Sequence, residues 1–292
     1  MQFSEIGQQL RAYRLEAGLR AEEIAARLGV SRAALYRYEK GEVIKLDTIK
    51  RLAELLKISP MSLLGVGVKY YTHPVSFFER LRQVEETIDQ VLQLAGPFCY
   101  VTASDSFEVA LQEMMQDIAE QAGVDRTAMW AANEQLLGIL AARRRVYAMR
   151  RPNIIAMIST GAVQRFLESG IGGGIGMSER VRQLCRNAAQ HEIEHIANLM
   201  ESEPMGLQFG LLTGQEPTSG FEILRSRDRA SLVINPFRAD THPSGQTGVA
   251  MITSAEEAIN AHQRVAETAW RNAVKGPAGA ARLRQLVAVA GG

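Results

Sequence analysis

The segment Leu19–Glu42, LRAEEIAARLGVSRAALYRYEKGE, constrains this chain most, because two short helical patterns meet there across a break of a few residues. Ile24, Ala25 and Leu28 form one inward stripe, and Leu35 and Tyr38 form a second. Between them, Gly29 supplies the positive φ that a tight turn needs, and Ser31 is placed to cap the second helix. Two helices joined by so short a turn must cross steeply. The outer face of the second is then left open to a partner.

The flanking sequence completes a bundle of five short helices. The first is expected over Ser4–Glu16, with Ile6, Leu10 and Tyr13 inward and Gly18 as its stop. LDTIKRLAELLKISPMSLL supplies the last two. From Ile6 to Leu64 the segment resembles the phage-repressor, or Xre-type, helix-turn-helix family. The resemblance is carried by Gly18-Leu19, Glu23-Ile24-Ala25, Leu28-Gly29-Val30-Ser31, Leu35, Glu39 and Gly41. It implies a double-stranded DNA partner, with the helix opened by Ser31 as the reading element and Arg32, Ala33 and Arg37 facing the bases, beside Tyr36. Arginine can donate two parallel hydrogen bonds to guanine O6 and N7, and a small alanine can sit against a thymine methyl. Arg20, Lys40 and Lys45 are placed to meet phosphates, which contribute affinity and salt dependence but no sequence information. The chain departs from the family at Arg20 and Ala21, where a hydroxyl cap followed by glutamine is usual, and the loop after Gly41 is about one residue short. The alternative is a bundle that serves assembly alone. Against it stand Arg32 and Arg37, expected on the open face with nothing acidic between them.

Charge distribution agrees with a nucleic-acid-binding head on a different body. Met1–Gly65 carries 11 Lys and Arg against 8 Asp and Glu, while the remainder carries 22 against 24. No stretch approaches the ~18 to 20 apolar residues of a membrane span, and the N-terminus has no signal-peptide pattern. A cytoplasmic protein is expected. Cys99 and Cys185 stand far apart and outside any C-x-x-C spacing, which suggests two buried thiols.

GVGVKYYTHP, Gly65–Pro74, reads as a boundary, dividing a domain of residues 1–65 from a linker of 66–96 and a third segment of 97–292. In SFFERLRQVEETIDQVLQLAG, residues Phe77, Leu81, Val84, Ile88 and Val91 fall at spacings of four, three, four and three. That heptad seam predicts a helix shared by two copies, although the same residues also suit packing on the larger domain. A homodimer is expected on other grounds as well. One small helix-turn-helix covers little DNA, whereas two related by a twofold axis read a palindrome.

Beyond Pro97 the pattern alternates, which predicts an α/β domain with a mixed sheet and, for the whole chain, an α + α/β class. FCYVTA, NIIAMIS, GLQFGLL, FEILRS, ASLVINPF and GVAMIT read as strands. Ser106–Ala122, Met129–Met149, Gly161–Ser169, Ser178–Glu201 and Ala255–Ala273 read as helices, and SRDR as the turn of a hairpin. The element order over Tyr100–Val274 resembles the phospholipase-D-like sensor domains attached to some bacterial regulators. The hydrolase version of that fold needs H-x-K, and His73, His191, His195, His242 and His262 are followed two places on by Val75, Ile193, Ala197, Ser244 and Arg264. The resemblance therefore implies binding, not turnover.

Three further stretches bear on chemistry. GIGGGIGMSER, Gly170–Arg180, precedes a helix but lacks both the G-K-[ST] ending and the G-x-G-x-x-G spacing of nucleotide loops, so a connection or gating loop is the expectation. Arg143, Arg144, Arg145, Arg150 and Arg151 complement a helix C-terminus or, alternatively, hold an anionic effector. HEIEH, His191–His195, matches the zinc-protease pattern. Its helix buries Ala189, Ile193, Ile196, Ala197 and Met200 on one side, which turns His191 and His195 roughly opposite, and no third ligand follows. No metal, cofactor or catalytic residue is therefore assigned. The overall expectation is a DNA-binding transcriptional regulator, dimeric on a palindromic operator and controlled by a small-molecule effector of unknown site; the alternative is a regulator fused to a metal-dependent hydrolase built on HEIEH.

Overall fold

The computed structural model describes residues 6–7, 10–11, 13–14, 19–58, 60–64, 67–121, 126–174, 176–238 and 246–291. Ser4, Glu16, Gly18 and Gly65, which the sequence reading used as boundaries, lie outside them. The chain divides into two compact units: Met1–Lys69 with Thr253–Ala255, and Tyr70–Ile252 with Glu256–Gly292.

In the first unit, Ile6, Gly7, Leu10, Arg11, Tyr13 and Arg14 are helical. They are followed by α1 (Ala21–Leu28), α2 (Arg32–Glu39), α3 (Leu46–Leu56) and α4 (Pro60–Leu63). Ile6, Leu10, Ile24, Leu28, Leu35, Ile49, Leu52, Leu56 and Leu63 close one apolar core, as their helical spacing requires. Gly29 takes the left-handed conformation, φ 71°, and its N–H caps α1. A second glycine is required for a different reason. A Cβ on Gly7 would lie 2.5 Å from the Glu39 carbonyl oxygen and 2.6 Å from that of Tyr38, so only a bare backbone lets the first helical segment approach the end of α2 this closely.

The second unit is an eight-stranded mixed sheet covered on both faces. Its elements are β1 (Lys69–Tyr71), α5 (Pro74–Glu85), β2 (Gln90–Leu94), a 3-10 turn at Tyr100–Thr102, α6 (Asp105–Gln121), α7 (Arg126–Arg150), β3 (Asn153–Ser159) and α8 (Thr160–Ser169). These are followed by α9 (Glu179–Ser202), β4 (Leu207–Leu212), β5 (Phe221–Arg225), β6 (Ala230–Ile234), β7 (Ala250–Thr253), α10 (Glu256–Asn272), β8 (Val274–Lys275) and α11 (Gly276–Ala290). The strand order is β1-β7-β6-β5-β2-β3-β4-β8. β2, β3 and β4 run parallel, β5 runs antiparallel to β2, and β8 antiparallel to β4. The alternation along each strand sorts residues between two cores. Val91, Ile154, Ala156, Phe209 and Leu224 join α5, α6, α8, α9 and α11 on one face. Leu92, Leu94, Met157, Phe221 and Ile223 meet Ile259, Ala266 and Ala269 of α10 on the other. No described helix is long and apolar enough to cross a membrane.

Several sequence expectations change here. The heptad helix does not exist as read: α5 stops at Glu85, Ile88 lies in the connection, and Val91 is in β2 at the middle of the sheet. Phe77, Leu81, Ile88 and Val91 are all buried in the large core and Val84 packs against it, so none of the five offers a seam to a second copy. The segment 66–96 is accordingly no free linker, since most of it is structural material of the second unit. A strand was expected at FCYVTA, but Tyr100–Thr102 is a 3-10 turn, and the strand role belongs to QVLQL just upstream. The physical reason is position: β2 is paired on both sides, with β3 and β5, and ladder hydrogen bonds outweigh the helical spacing of its apolar residues. The hairpin at SRDR is present, β5 pairing with β6 around a Ser226 N–H donating to the Arg229 carbonyl at 2.8 Å. α11 had no counterpart in the sequence reading.

Candidate nucleic-acid interface

α2 is positioned by its ends and its buried side. The Ser31 hydroxyl accepts from the Ala34 N–H at 3.1 Å, capping the helix. Leu35 and Glu39 are buried and Tyr38 is half-buried, while Arg32, Ala33, Tyr36 and Arg37 share the exposed side. The three residues expected to face the bases, Arg32, Ala33 and Arg37, therefore stand with Tyr36 on one solvent-facing strip, and Lys40 is exposed at its end. Arg20 and Lys45 are exposed at the starts of α1 and α3.

The departure at Arg20 has a structural answer. The Glu23 carboxylate reaches back to accept from the Arg20 backbone N–H at 2.9 Å and from its guanidinium at 3.3 Å, so α1 is capped from within its first turn. Those bonds hold the Glu23 carboxyl below its usual range.

Arg32 and Arg37 are exposed with nothing acidic between them, as expected, but acidic side chains from outside the helix reach both. Arg32 Nη1 lies 2.9 Å from Glu22, and Arg37 Nε lies 3.5 Å from Glu42. Glu22 lies in the first turn of α1 and Glu42 follows the end of α2. Arg32 also donates to the Tyr36 hydroxyl at 3.3 Å and stacks on its ring at 5.4 Å. Exposed ion pairs contribute about 0 to 1 kcal/mol, so these can yield to a base or phosphate. Glu22→Gln and Glu42→Gln are each expected to raise DNA affinity by up to about fivefold at low salt, with the gain fading as salt rises. Fluorescence anisotropy across a salt series checks this.

Sequence reasoning missed the pair that holds this strip in place. Arg14 donates through Nε at 2.6 Å and Nη2 at 3.2 Å to the Glu39 carboxylate, and through Nη1 to the Leu19 carbonyl at 3.3 Å. Both side chains are nearly inaccessible. The pair ties the first helical segment to the last turn of α2, and its only sequence signal is a charged residue falling on an inward position of each helix.

The other candidate stretches are occupied by structure. In HEIEH, Glu192 is 1% exposed and accepts from both the Ser104 N–H, at 2.9 Å, and the Ser104 hydroxyl, at 2.6 Å. Burial pushes its carboxyl up, opposed by those bonds. Glu194 accepts from Arg284 of α11 at 2.8 Å, and His195 Nε2 lies 3.0 Å from the Thr102 carbonyl, so the second histidine is half-covered by the 3-10 turn and not turned to solvent. Among the described residues no group of three or more His, Cys, Asp or Glu is arranged to hold a metal ion. At the glycine-rich stretch, the start of α9 is already served by the Ser178 cap and by Asp117, whose carboxylate accepts from the Ser178 N–H at 2.6 Å and hydroxyl at 2.8 Å. Of the arginine cluster, Arg143 is buried against Glu85 and Arg144 is paired with Asp105 and Glu108. Both cysteines are buried thiols.

The second unit encloses a cavity of about 700 Å³. It opens where β2 ends at Leu94 and α8 follows β3, which is the carboxyl end of the parallel strands, where open α/β sheets commonly take ligands. Phe78, Phe98, Tyr100, Phe166 and Phe237 give it aromatic walls, and Glu85, Gln93, Arg143, Arg165, Glu168, Glu222 and Arg238 are among its polar lining. The arginine cluster thus contributes Arg143 to a cavity, already paired with Glu85.

Residues 5–62 match the helix-turn-helix domain family. A protein of Pyrococcus horikoshii provisionally named as an HTH-type transcriptional regulatory protein is 32% identical over 117 residues, which cover 36% of this chain and 36% of that relative. The chain thus spans little more than a third of the length of the relative it matches.

Proposed function

We propose that this protein is a sequence-specific DNA-binding transcriptional regulator of the Xre kind, with α2 as the reading element. The observation that carries the reading is the strip of Arg32, Ala33, Tyr36 and Arg37, exposed together on a capped helix whose opposite side is buried. Such a helix can lie in a major groove while Arg20, Lys40 and Lys45 meet the flanking phosphates. The helix-turn-helix match and the named relative support the same reading.

Two copies acting on a palindromic operator belong to the proposal, because a single domain of this size covers too little DNA for tight selective binding. The second unit, a sensor of the phospholipase-D-like kind, takes a small-molecule effector and has no catalytic role; its cavity falls within the range of ligand sites, about 300 to 1,000 Å³. An effector that favours one arrangement of the dimer would shift the population away from or towards the spacing of the half-sites. The protein would act in the cytoplasm.

Selection of bound genomic fragments by the full-length protein, followed by anisotropy on the enriched site, tests the reading. Arg37→Ala is expected to weaken binding to that site by about 1 to 3 kcal/mol and to relax the preference at one base pair. Lys40→Ala should weaken all sequences alike and lower the salt slope by about one. Failure to enrich any sequence, or an Arg37→Ala variant that binds the enriched site normally, would overturn the proposal.

A further inference from the structure

One carboxylate in the cavity of the second unit, that of Glu222, receives no hydrogen bond from any described residue. Glu85 and Arg143 neutralise one another through two bonds of 2.8 Å, with the guanidinium also lying over the Phe78 and Tyr100 rings. Glu222 is different. Along β5, Phe221 and Ile223 point into the α10 side of the sheet, so Glu222, opposite Gln93 of β2, points to the other side and into the cavity. The Gln93 amide donates to the carbonyls of Ala95 and Phe98 and so is spent. No described residue donates a hydrogen bond to Glu222; Arg143 and Glu85 reach it only through their charges. Cys99 faces it as well, but burial pushes that thiol up to about 12, so it adds no charge.

An uncompensated carboxylate on a strand in the middle of a sheet is costly, and a sequence selected for stability alone would place a leucine or glutamine there. An anion placed against Glu222 is disfavoured by the like charge of its carboxylate. A neutral guest would leave the carboxylate uncompensated. Aromatic walls around the buried Glu222 carboxylate complement an apolar cation.

We propose that the second unit binds a small organic amine, its ammonium group held by Glu222 and its apolar body between the phenyl rings of the cavity. This names the chemistry of the effector proposed above and rests on that reading. Burial, reinforced by Glu85 and opposed by Arg143, raises the free Glu222 carboxyl to about 7. A bound ammonium favours the ionised form, so affinity for amines falls as pH drops below that value.

Calorimetry on the full-length protein, without DNA, tests the proposal with three probes of one shape: 2-(1-naphthyl)ethylamine, the corresponding alcohol, and 1-naphthaleneacetate. At about pH 8 the amine is expected to bind at least about tenfold more tightly than the alcohol, and the acetate most weakly. Glu222→Gln should lower affinity for the amine at least about tenfold while leaving the alcohol unchanged, and should melt no lower than the parent at that pH because it removes an uncompensated charge. The proposal is overturned if the amine binds no better than the alcohol, if Glu222→Gln binds the amine equally well, or if the amine gives no binding at about 1 mM. Should that variant fail to fold, the parent protein decides: amine affinity that is the same at about pH 6 and pH 8 overturns the proposal. DNA binding is measured separately with no amine present, so loss of the regulator reading and loss of the ligand chemistry are distinguishable.

Discussion

Arg143→Met is expected to destabilise the second unit by about 3 to 5 kcal/mol, read as a shift in the midpoint of urea unfolding. Arg143 is 5% exposed, donates twice to Glu85, and its charge also attracts the Glu222 carboxylate on β5. Removing it leaves Glu85 buried without a counter-charge and takes from Glu222 the attraction that now opposes its desolvation. The pH dependence follows from the same charges. Burial already raises the Glu222 carboxyl above its unfolded value and Arg143 opposes that rise, so without Arg143 the folded state holds a proton there that the unfolded chain releases. The deficit is then fully present above the folded pKa and shrinks as pH falls towards the unfolded value. Glu85→Leu combined with Arg143→Met should recover most of the loss, because it is the unpaired charge, and not the missing bridge, that costs energy. A single variant with an unchanged midpoint would sink this account.

Glu39→Ala should be as damaging to the first unit. Its carboxylate accepts both donors of Arg14, and truncation leaves a guanidinium in the core with only the Leu19 carbonyl as partner. A loss of about 3 to 5 kcal/mol is expected. That is a large fraction of what a unit of this size can have, since small domains bury a smaller share of their surface. Hydrogen exchange checks it locally: protection should collapse in α1 and α2 while β2, β3 and β4 keep theirs, and specific DNA binding should go with it. Glu39→Gln, which keeps the shape and can accept one bond, is expected to lose less. Uniform protection in Glu39→Ala would show that the pair contributes nothing to the placement of α2.

The first unit could be read closely from its residues because its signals are local. The Ser31 cap, the left-handed Gly29 and the inward Leu28 and Leu35 act within a turn or two of their own positions, and all appear as expected. The exposed row of Arg32, Ala33, Tyr36 and Arg37 follows from the same periodicity. What that periodicity did not reveal is that Glu22 and Glu42, from outside the helix, shade both arginines.

In the second unit the divide is sharper. The helices α6 to α10 and five of the expected strands follow from amphipathic spacing and β-branched runs. Between Val84 and Val91, by contrast, a helical spacing and a strand assign the same apolar residues to the interior, and only the two neighbours of β2 settle which forms. That choice removed the dimer seam. α11 was hidden for the opposite reason: alanine and glycine give its segment little hydrophobic contrast, and its place depends on close packing against α9, where a Cβ on Gly279 would lie 2.2 Å from Met200.

The amino-acid sequence by itself therefore determined the caps and turn around α2, which side of α2 stays wet, and that a mixed sheet follows the bundle. These depend on backbone conformation and burial within a few residues of each position. Tertiary structure alone decided the pairings across distance: Arg14 with Glu39, 25 residues apart, and Glu85 with Arg143, 58 residues apart. It alone decided, too, that Glu222 faces a cavity without a partner of its own. A charge in an amphipathic pattern carries no mark of what will stand opposite it, because its energy depends on dielectric surroundings and counter-charges that exist only once distant segments have met.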